Sequence, residues 1–272
     1  MIVRRLVVIL LFALSASARA DSLRLDGPLV QGGLVVGHTL PGTEVRIDGR
    51  PVRVSPDGAF LIGFTRDAPP EAVLALRYPD GTARSERLAV ATRSYDIQRI
   101  DGLPETMVTP PPEVLARIQR ENAQIAELRT RDTPATEFLK GWIWPAQGRI
   151  SGVYGSQRIL NGVAKQPHYG LDIAAPVGTP VKAPAGGTVL LAAKDLYYTG
   201  GTVILDHGHG LSSAFLHMQT VLVKEGQTLA QGQVLGTLGA TGRATGPHLD
   251  WRMNLFDARI DPALLVPPMP AQ

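Results

Sequence analysis

Two short polar clusters, His168-Tyr-Gly-Leu-Asp172 and His248-Leu-Asp250, stand in a β-patterned stretch rich in glycine and valine. Between them a third histidine closes the run Ser212-Ser-Ala-Phe-Leu-His217. The chain holds 6 histidines in 272 residues, so three of them beside two aspartates is a concentration of one chemistry. Cysteine is absent, which leaves imidazole and carboxylate as the groups able to bind a divalent, zinc-like ion. The pattern points to a metal-dependent hydrolase. Singly, each residue reads as a hydrogen-bonded polar group at a turn. Their joint occurrence in glycine-flanked β segments is what argues for a site.

Spacing says how these groups could meet. His248 and Asp250 are two apart on a predicted strand, so both face one side while Leu249 and Trp251 face the other. His168 and Asp172 are four apart, which a helix would align. Pro167, Gly170 and the following Ala-Ala-Pro176 favour a loop running into a strand, and the sequence leaves the two open. A rival pair, His207 and His209, sits in Asp206-His-Gly-His-Gly210, where the glycines mark a hairpin tip; both read as turn or rim residues. Ser212 and Ser213 have histidines nearby, but no Gly-x-Ser-x-Gly elbow is present, so they read as strand residues rather than nucleophiles.

The elements that must position these groups are mainly β. Residues 21–103 form a predicted small β-sandwich-like module: Val45-Arg-Ile47 and Val52-Arg-Val54 flank Asp48-Gly49, a dipeptide suited to a tight primed turn. Pro56-Asp-Gly58 and Pro79-Asp-Gly81 repeat the punctuation, and His38 reads as a surface or turn residue. Residues 104–140 are a proline-rich joint and a linker helix over Glu113–Arg131. There Val114, Ile118, Ile125 and Leu128 share a face, and Glu113/Arg117 and Arg117/Glu121 stand four apart. Packing against one of the two flanking domains is the plain reading of that face. From 141 to 266 short Val/Ile/Leu strands alternate with glycines and no helical period interrupts, which predicts a mostly antiparallel domain; 267–272 is a proline-rich tail.

Residues 1–20 read as a secretory signal: Arg4-Arg5, the apolar run Leu6–Leu14, and Ala18-Arg-Ala20 as a cleavage site. That segment carries three arginines and no acid, so its removal brings the 27 Lys and Arg level with the 24 Asp and Glu. No basic footprint is then left to argue for nucleic acid or for anionic lipid, and no stable membrane insertion is expected once the signal is cleaved. An exported chain without cysteine suits the periplasm or another part of the bacterial envelope.

The stretch from Gly155 through His168-Tyr-Gly-Leu-Asp-Ile-Ala-Ala-Pro-Val-Gly-Thr-Pro-Val181 to Thr241-Gly-Arg-Ala-Thr-Gly-Pro-His-Leu-Asp-Trp251 resembles the lysostaphin/LytM-type zinc metalloendopeptidases, which cut peptide bonds in peptidoglycan. The match runs from about Trp144 to Pro262. It implies an antiparallel β metallopeptidase domain with Zn2+ as cofactor and peptidoglycan as substrate. By resemblance His168 and Asp172 are zinc ligands, and His217 and His248 match the catalytic pair. The family's last motif ends His-x-His, its second histidine the third ligand; here Asp250 holds that place.

A carboxylate can serve as a ligand at about 2.0–2.2 Å. The charge changes, however: one histidine and two carboxylates around a dication sum to zero, and a neutral site polarises a carbonyl less. The expectation is an exported zinc endopeptidase with His168, Asp172 and Asp250 on the metal and His217 and His248 acting on water and oxyanion. Arg158 and Asn161 are candidates for gripping substrate carboxylates. The alternative is a degenerate relative that activates a cell-wall amidase, with the N-terminal module or the helix as docking surface for an envelope protein.

Overall fold

The computed structural model describes residues 22–102 and 111–270. The predicted signal segment lies outside them. Eight strands precede the helix: β1 Leu23–Asp26, β2 Leu34–Thr39, β3 Glu44–Ile47, β4 Arg50–Val52, β5 Ala59–Gly63, β6 Glu71–Arg77, β7 Ala83–Ala89 and β8 Ile97–Ile100. Sheet β1-β2-β5 faces sheet β4-β3-β6-β7. Alternation builds the sandwich: Ala72, Leu74 and Leu76 of β6 point inward against Val35, Phe60 and Ile62. Asp48-Gly49 makes the β3–β4 turn with φ of 47° and 77°, the primed turn the sequence predicts. His38 lies on β2, half-buried, its Nε2 3.6 Å from Asp26 Oδ2.

Helix α1, Pro112–Leu128, opens with proline in its first turn, where a missing N–H is harmless. Its apolar face lays Ile125 and Leu128 on Leu191, Leu196, Ile204, Ala214 and Leu216 of the second domain's sheet. Arg117 Nε donates to Glu121 Oε1 at 2.6 Å, and Glu121 Oε2 accepts Tyr197 N–H at 2.9 Å. No described helix is long and apolar enough to cross a membrane.

The second domain comprises β9 Arg149–Gly152, β10 Gln157–Leu160, β11 Val163–Ala164, β12 Leu171–Ala174, β13 Pro180–Lys182, β14 Gly187–Leu196, β15 Gly200–Gly208, β16 Leu211–Val221, β17 Thr228–Leu229, β18 Val234–Leu238, β19 Leu249–Leu255 and β20 Ala258–Ile260. Its large sheet runs β17-β14-β15-β16-β19-β12-β9, with every pairing antiparallel. One face is the core, where Phe215, Leu249, Trp251 and Met253 are fully buried. The other face carries the polar clusters.

The two β units are stitched together. Leu34 and Leu61 of the sandwich join the core of the second domain. Arg93 Nη1 reaches Asp261 Oδ2 at 2.8 Å, and Arg66 Nε donates to Gly155 O at 2.7 Å. Strand β8 pairs with β10 in parallel register, Arg158 opposite Gln98.

The tip of the β15–β16 hairpin departs from the sequence reading. His207 and His209 are 0% and 3% exposed, not solvated turn or rim residues. The segment after α1 wraps the tip: Trp142 meets His207 edge-on with ring centroids 5.0 Å apart, Phe138 meets His209 likewise at 5.1 Å, and Thr133 O accepts His209 N–H. His207 Nδ1–H donates to Gly186 O at 2.6 Å, leaving Nε2 to accept from the Ser213 hydroxyl at 2.7 Å. This ties Ser213 and His207 into the core, far from any nucleophilic role.

Candidate active site

Strands β12, β19 and β16 lie side by side, and their register assembles the site. Asp172 stands directly opposite Asp250, and Asp250 opposite Leu216, one residue before His217. Because side chains alternate, Asp250 and Arg252 face outward while Leu249 and Trp251 fill the core. His168 precedes β12 in a loop, so the loop-into-strand alternative holds there.

Two carboxylates opposite each other repel unless positive charge lies between them. His168 supplies a converging nitrogen: its Nε2 is 3.1 Å from Asp172 Oδ1 and 3.4 Å from Asp250 Oδ2. His168 Nε2 and Asp172 Oδ1 are buried without a hydrogen-bond partner. Ligands about 2.1 Å from a tetrahedral ion are separated by roughly 3.4 Å. The three donors therefore fit a small divalent cation, and they form a potential metal-binding triad among the described residues.

Arg252, which the sequence reading passed over, grips Asp250: Nη2 donates to Oδ2 at 2.6 Å and Nε lies 3.1 Å from both oxygens. The signal was available, since Arg252 is two residues beyond Asp250 and must share its face. Arg158 Nη2 lies 3.2 Å from Asp172 Oδ2, so this arginine meets a carboxylate of the site itself. With both guanidiniums counted, the total around a bound dication is +2, not the zero suggested by the ligands alone. Burial would raise the carboxyl pKa of Asp250, but Arg252 and His168 outweigh it and hold the group well below its usual range. Burial likewise lowers His168, and the neighbouring Asp250 and Asp172 carboxylates overcome that to raise it.

His217 and His248 flank the triad with ring centroids 4.7 Å apart. Each Nδ1–H donates to a backbone carbonyl, Thr241 O and Gly246 O, both at 2.8 Å. A carbonyl only accepts, so both rings keep the lone pair on Nε2. His248 Nε2 is 3.9 Å from Asp172 Oδ1. His217 has φ of 64°, rare for a non-glycine residue and compatible with the turn of its ring toward Thr241. Burial pushes its pKa down, against the pull of Asp250, which keeps the ring neutral.

Two glycines shape the floor. A Cβ on Gly152 would overlap Asp172 Oδ2, and one on Gly170 would overlap Asp250 Oδ1. Asn161 does not line the groove. With Gly162 it forms the β10–β11 turn at φ of 47° and 79°, a role asparagine takes because it tolerates the left-handed region. The groove, about 780 Å3, brings His168, Asp172, His217, His248 and Asp250 together with Arg158.

Comparisons with known proteins cover this part of the chain. The model of peptidase family M23 matches residues 166–262, which include all five converging residues. The chain is 38% identical over 128 residues to the peptidoglycan DD-endopeptidase ShyA of Vibrio cholerae, covering 44% of this chain and 29% of that one. It is 40% identical over 102 residues to a lipoprotein NlpD/LppB homolog of Pseudomonas aeruginosa, covering 38% and 32%. The chain thus spans about a third or less of these relatives. A crystal structure described as a peptidase M23 from Pseudomonas aeruginosa matches nearly end to end, at 35% identity over 87% of this chain and 94% of that one, with a TM-score of 0.68. With shared sequence across both β units and the polar clusters inside the matched segment, the chain belongs to peptidase family M23.

Proposed function

We propose that the protein is an exported zinc metalloendopeptidase that hydrolyses peptide bonds in peptidoglycan stem peptides or cross-links. The observation that carries this reading is the convergence of His168 Nε2, Asp172 Oδ1 and Asp250 Oδ2 beside two histidines with free Nε2 atoms. His168, Asp172 and Asp250 would hold the metal; when bound, it polarises the scissile carbonyl and lowers the pKa of a water. His217 takes a proton from the attacking water at Nε2, and the hydroxyl adds to the carbonyl carbon. The proton then goes to the leaving nitrogen as the C–N bond breaks. His248 accepts the second O–H of that water at Nε2 and orients it for attack. Arg158 and Arg252 keep both carboxylates ionised and in place. Export through residues 1–20 and residence in the periplasm or outside the cell belong to the same reading, as does a domain division near residues 103 and 140.

Metal content of the purified protein and release of soluble muropeptides from isolated sacculi test it together. Zinc bound at about one per chain, with release abolished in Asp172→Ala, is the expected result. Full release by Asp172→Ala overturns the metal assignment. One observation favours a second reading: the grip of Arg252 on both oxygens of Asp250 could substitute for a metal. Protein that binds no zinc and only stimulates a separate amidase would establish that non-catalytic role.

A further inference from the structure

The groove carries far more positive charge than the triad requires. Six cations line it, Arg129, Arg158, Lys165, Arg243, Arg252 and Arg259, against two carboxylates, Asp172 and Asp250. Arg158 and Arg252 are taken up by those two. Arg129 comes from outside the family-matched segment, as the residue that caps the C-terminal end of α1, and makes no side-chain hydrogen bond or ion pair among the described residues. Arg259, on β20, makes no close ion pair among the described residues: Nη1 donates to Asn254 Oδ1 at 2.7 Å, the guanidinium lies 5.7 Å from the Tyr169 ring, and Asp257 acts on it only at longer range. Both are half-buried. Burial, with repulsion among Arg129, Arg252 and Arg259, pushes Arg129 down to about 9 and Arg259 to about 10. Both remain charged at neutral pH and crowded together, with only the exposed Asp257 acting as a distant counter-charge to Arg259.

Register shows where these cations lie relative to the triad. Asp250, Arg252 and Asn254 alternate outward along β19, and Asn254 carries Arg259. At about 3.3 Å per residue, Asn254 is roughly 13 Å from Asp250 along the strand, about the span of a tetrapeptide.

We propose that Arg129 and Arg259 form an anion-recognition subsite that holds a carboxylate of an acidic peptide substrate in the same groove, several residues along the peptide from the scissile bond. The planar guanidinium fork matches a carboxylate, and an unpaired, partly desolvated one gains more from such a partner than a hydrated lysine would. Arg243 and Lys165 add positive potential along the same groove. This inference rests on the groove being the substrate site of the proposed peptidase.

Fluorescence anisotropy on the full chain tests it, using a labelled soluble stem peptide with free carboxylates and the same peptide with its carboxylates converted to carboxamides. The wild type should bind the carboxylate form at least tenfold more tightly. Arg129→Gln and Arg259→Gln should each cut that preference to about threefold or less while leaving the amide form's affinity unchanged, and Arg129→Lys should restore part of it. In turnover assays the loss should fall on KM rather than kcat. Equal binding of the two peptides by the wild type, or retention of the preference by both glutamine variants, overturns the proposal. Because binding is read without turnover, a protein with the preference but no hydrolysis refutes the peptidase reading alone. One that hydrolyses wall without the preference refutes the subsite alone.

Discussion

Replacing Arg252 with methionine separates the two things its guanidinium does. It neutralises a buried carboxylate: Asp250 is 2% exposed, with donors at 2.6 and 3.1 Å. Stripping one partner from a buried pair costs about 3–5 kcal/mol, and the lower end applies because His168 stays beside Asp250. For a chain of this size, about 3 kcal/mol corresponds to a fall in Tm of roughly 6–12 °C for the metal-free protein. The same guanidinium repels a metal. Asp250 Oδ2 lies 2.6 Å from Nη2, and an ion about 2.1 Å from that oxygen is at most about 4.7 Å from the nitrogen. A dication and a unit charge at that separation repel by about 2 kcal/mol in water-like surroundings and about 7 kcal/mol at an effective dielectric of 20. Even the smaller value means zinc binding at least about tenfold tighter in Arg252→Met. Calorimetric melts with chelator and with saturating zinc, plus a competitive zinc titration, check both halves. A variant that binds zinc more weakly than wild type, or melts unchanged without metal, refutes the reasoning.

Gly152→Ala should displace the Asp172 carboxylate and lower zinc occupancy severalfold without altering a ligand; unchanged zinc content in a folded variant contradicts the packing described here. His207 is held neutral, its pKa lowered by burial to about 4, whereas in the unfolded chain it titrates near 6.5. The unfolded state alone takes up that proton between these values, so stability falls as pH drops through 6.5 toward 4. That contribution loses about 2 kcal/mol between pH 7 and 5. Denaturant melts at both pH values should show the loss, and His207→Phe should shrink it. Arg93→Ala strips a partner from Asp261, which is 3% exposed, and should destabilise the protein by about 1.5–3 kcal/mol. A shift below 0.5 kcal/mol in urea unfolding would show that the bridge between the units is idle.

What the sequence disclosed depended on how local the determinants were. The Asp48-Gly49 turn, the face shared by His248 and Asp250, and the docking stripe of α1 follow from periods and turn chemistry within a dozen residues. The burial of His207 and His209 did not, because the covering side chains, Phe138 and Trp142, arrive from a linker some seventy residues upstream. Glycine flanks mark a hairpin tip equally whether the tip is wet or wrapped. Asn161 carried two meanings, a side-chain amide and a tolerance for positive φ, and only the fold decides for the second. Arg252 was legible from its spacing to Asp250, but Arg129 and Arg259 escaped for the same reason as the histidine tip, since they reach the groove from α1's end and β20. Charge composition, balanced once residues 1–20 are set aside, conceals how strongly it is concentrated in one groove.

The parallel pairing of β8 with β10 has a bearing on how this molecule can be cut or joined. The strand that carries Arg158 owes one edge to β8, which follows the sandwich in sequence, so a fragment starting at residue 141 would expose an unsatisfied ribbon along β10. Grafts and truncations that keep only the family-matched part of the chain would leave a sticky border there. Any cut must keep Ile97–Ile100 with the strands it edges.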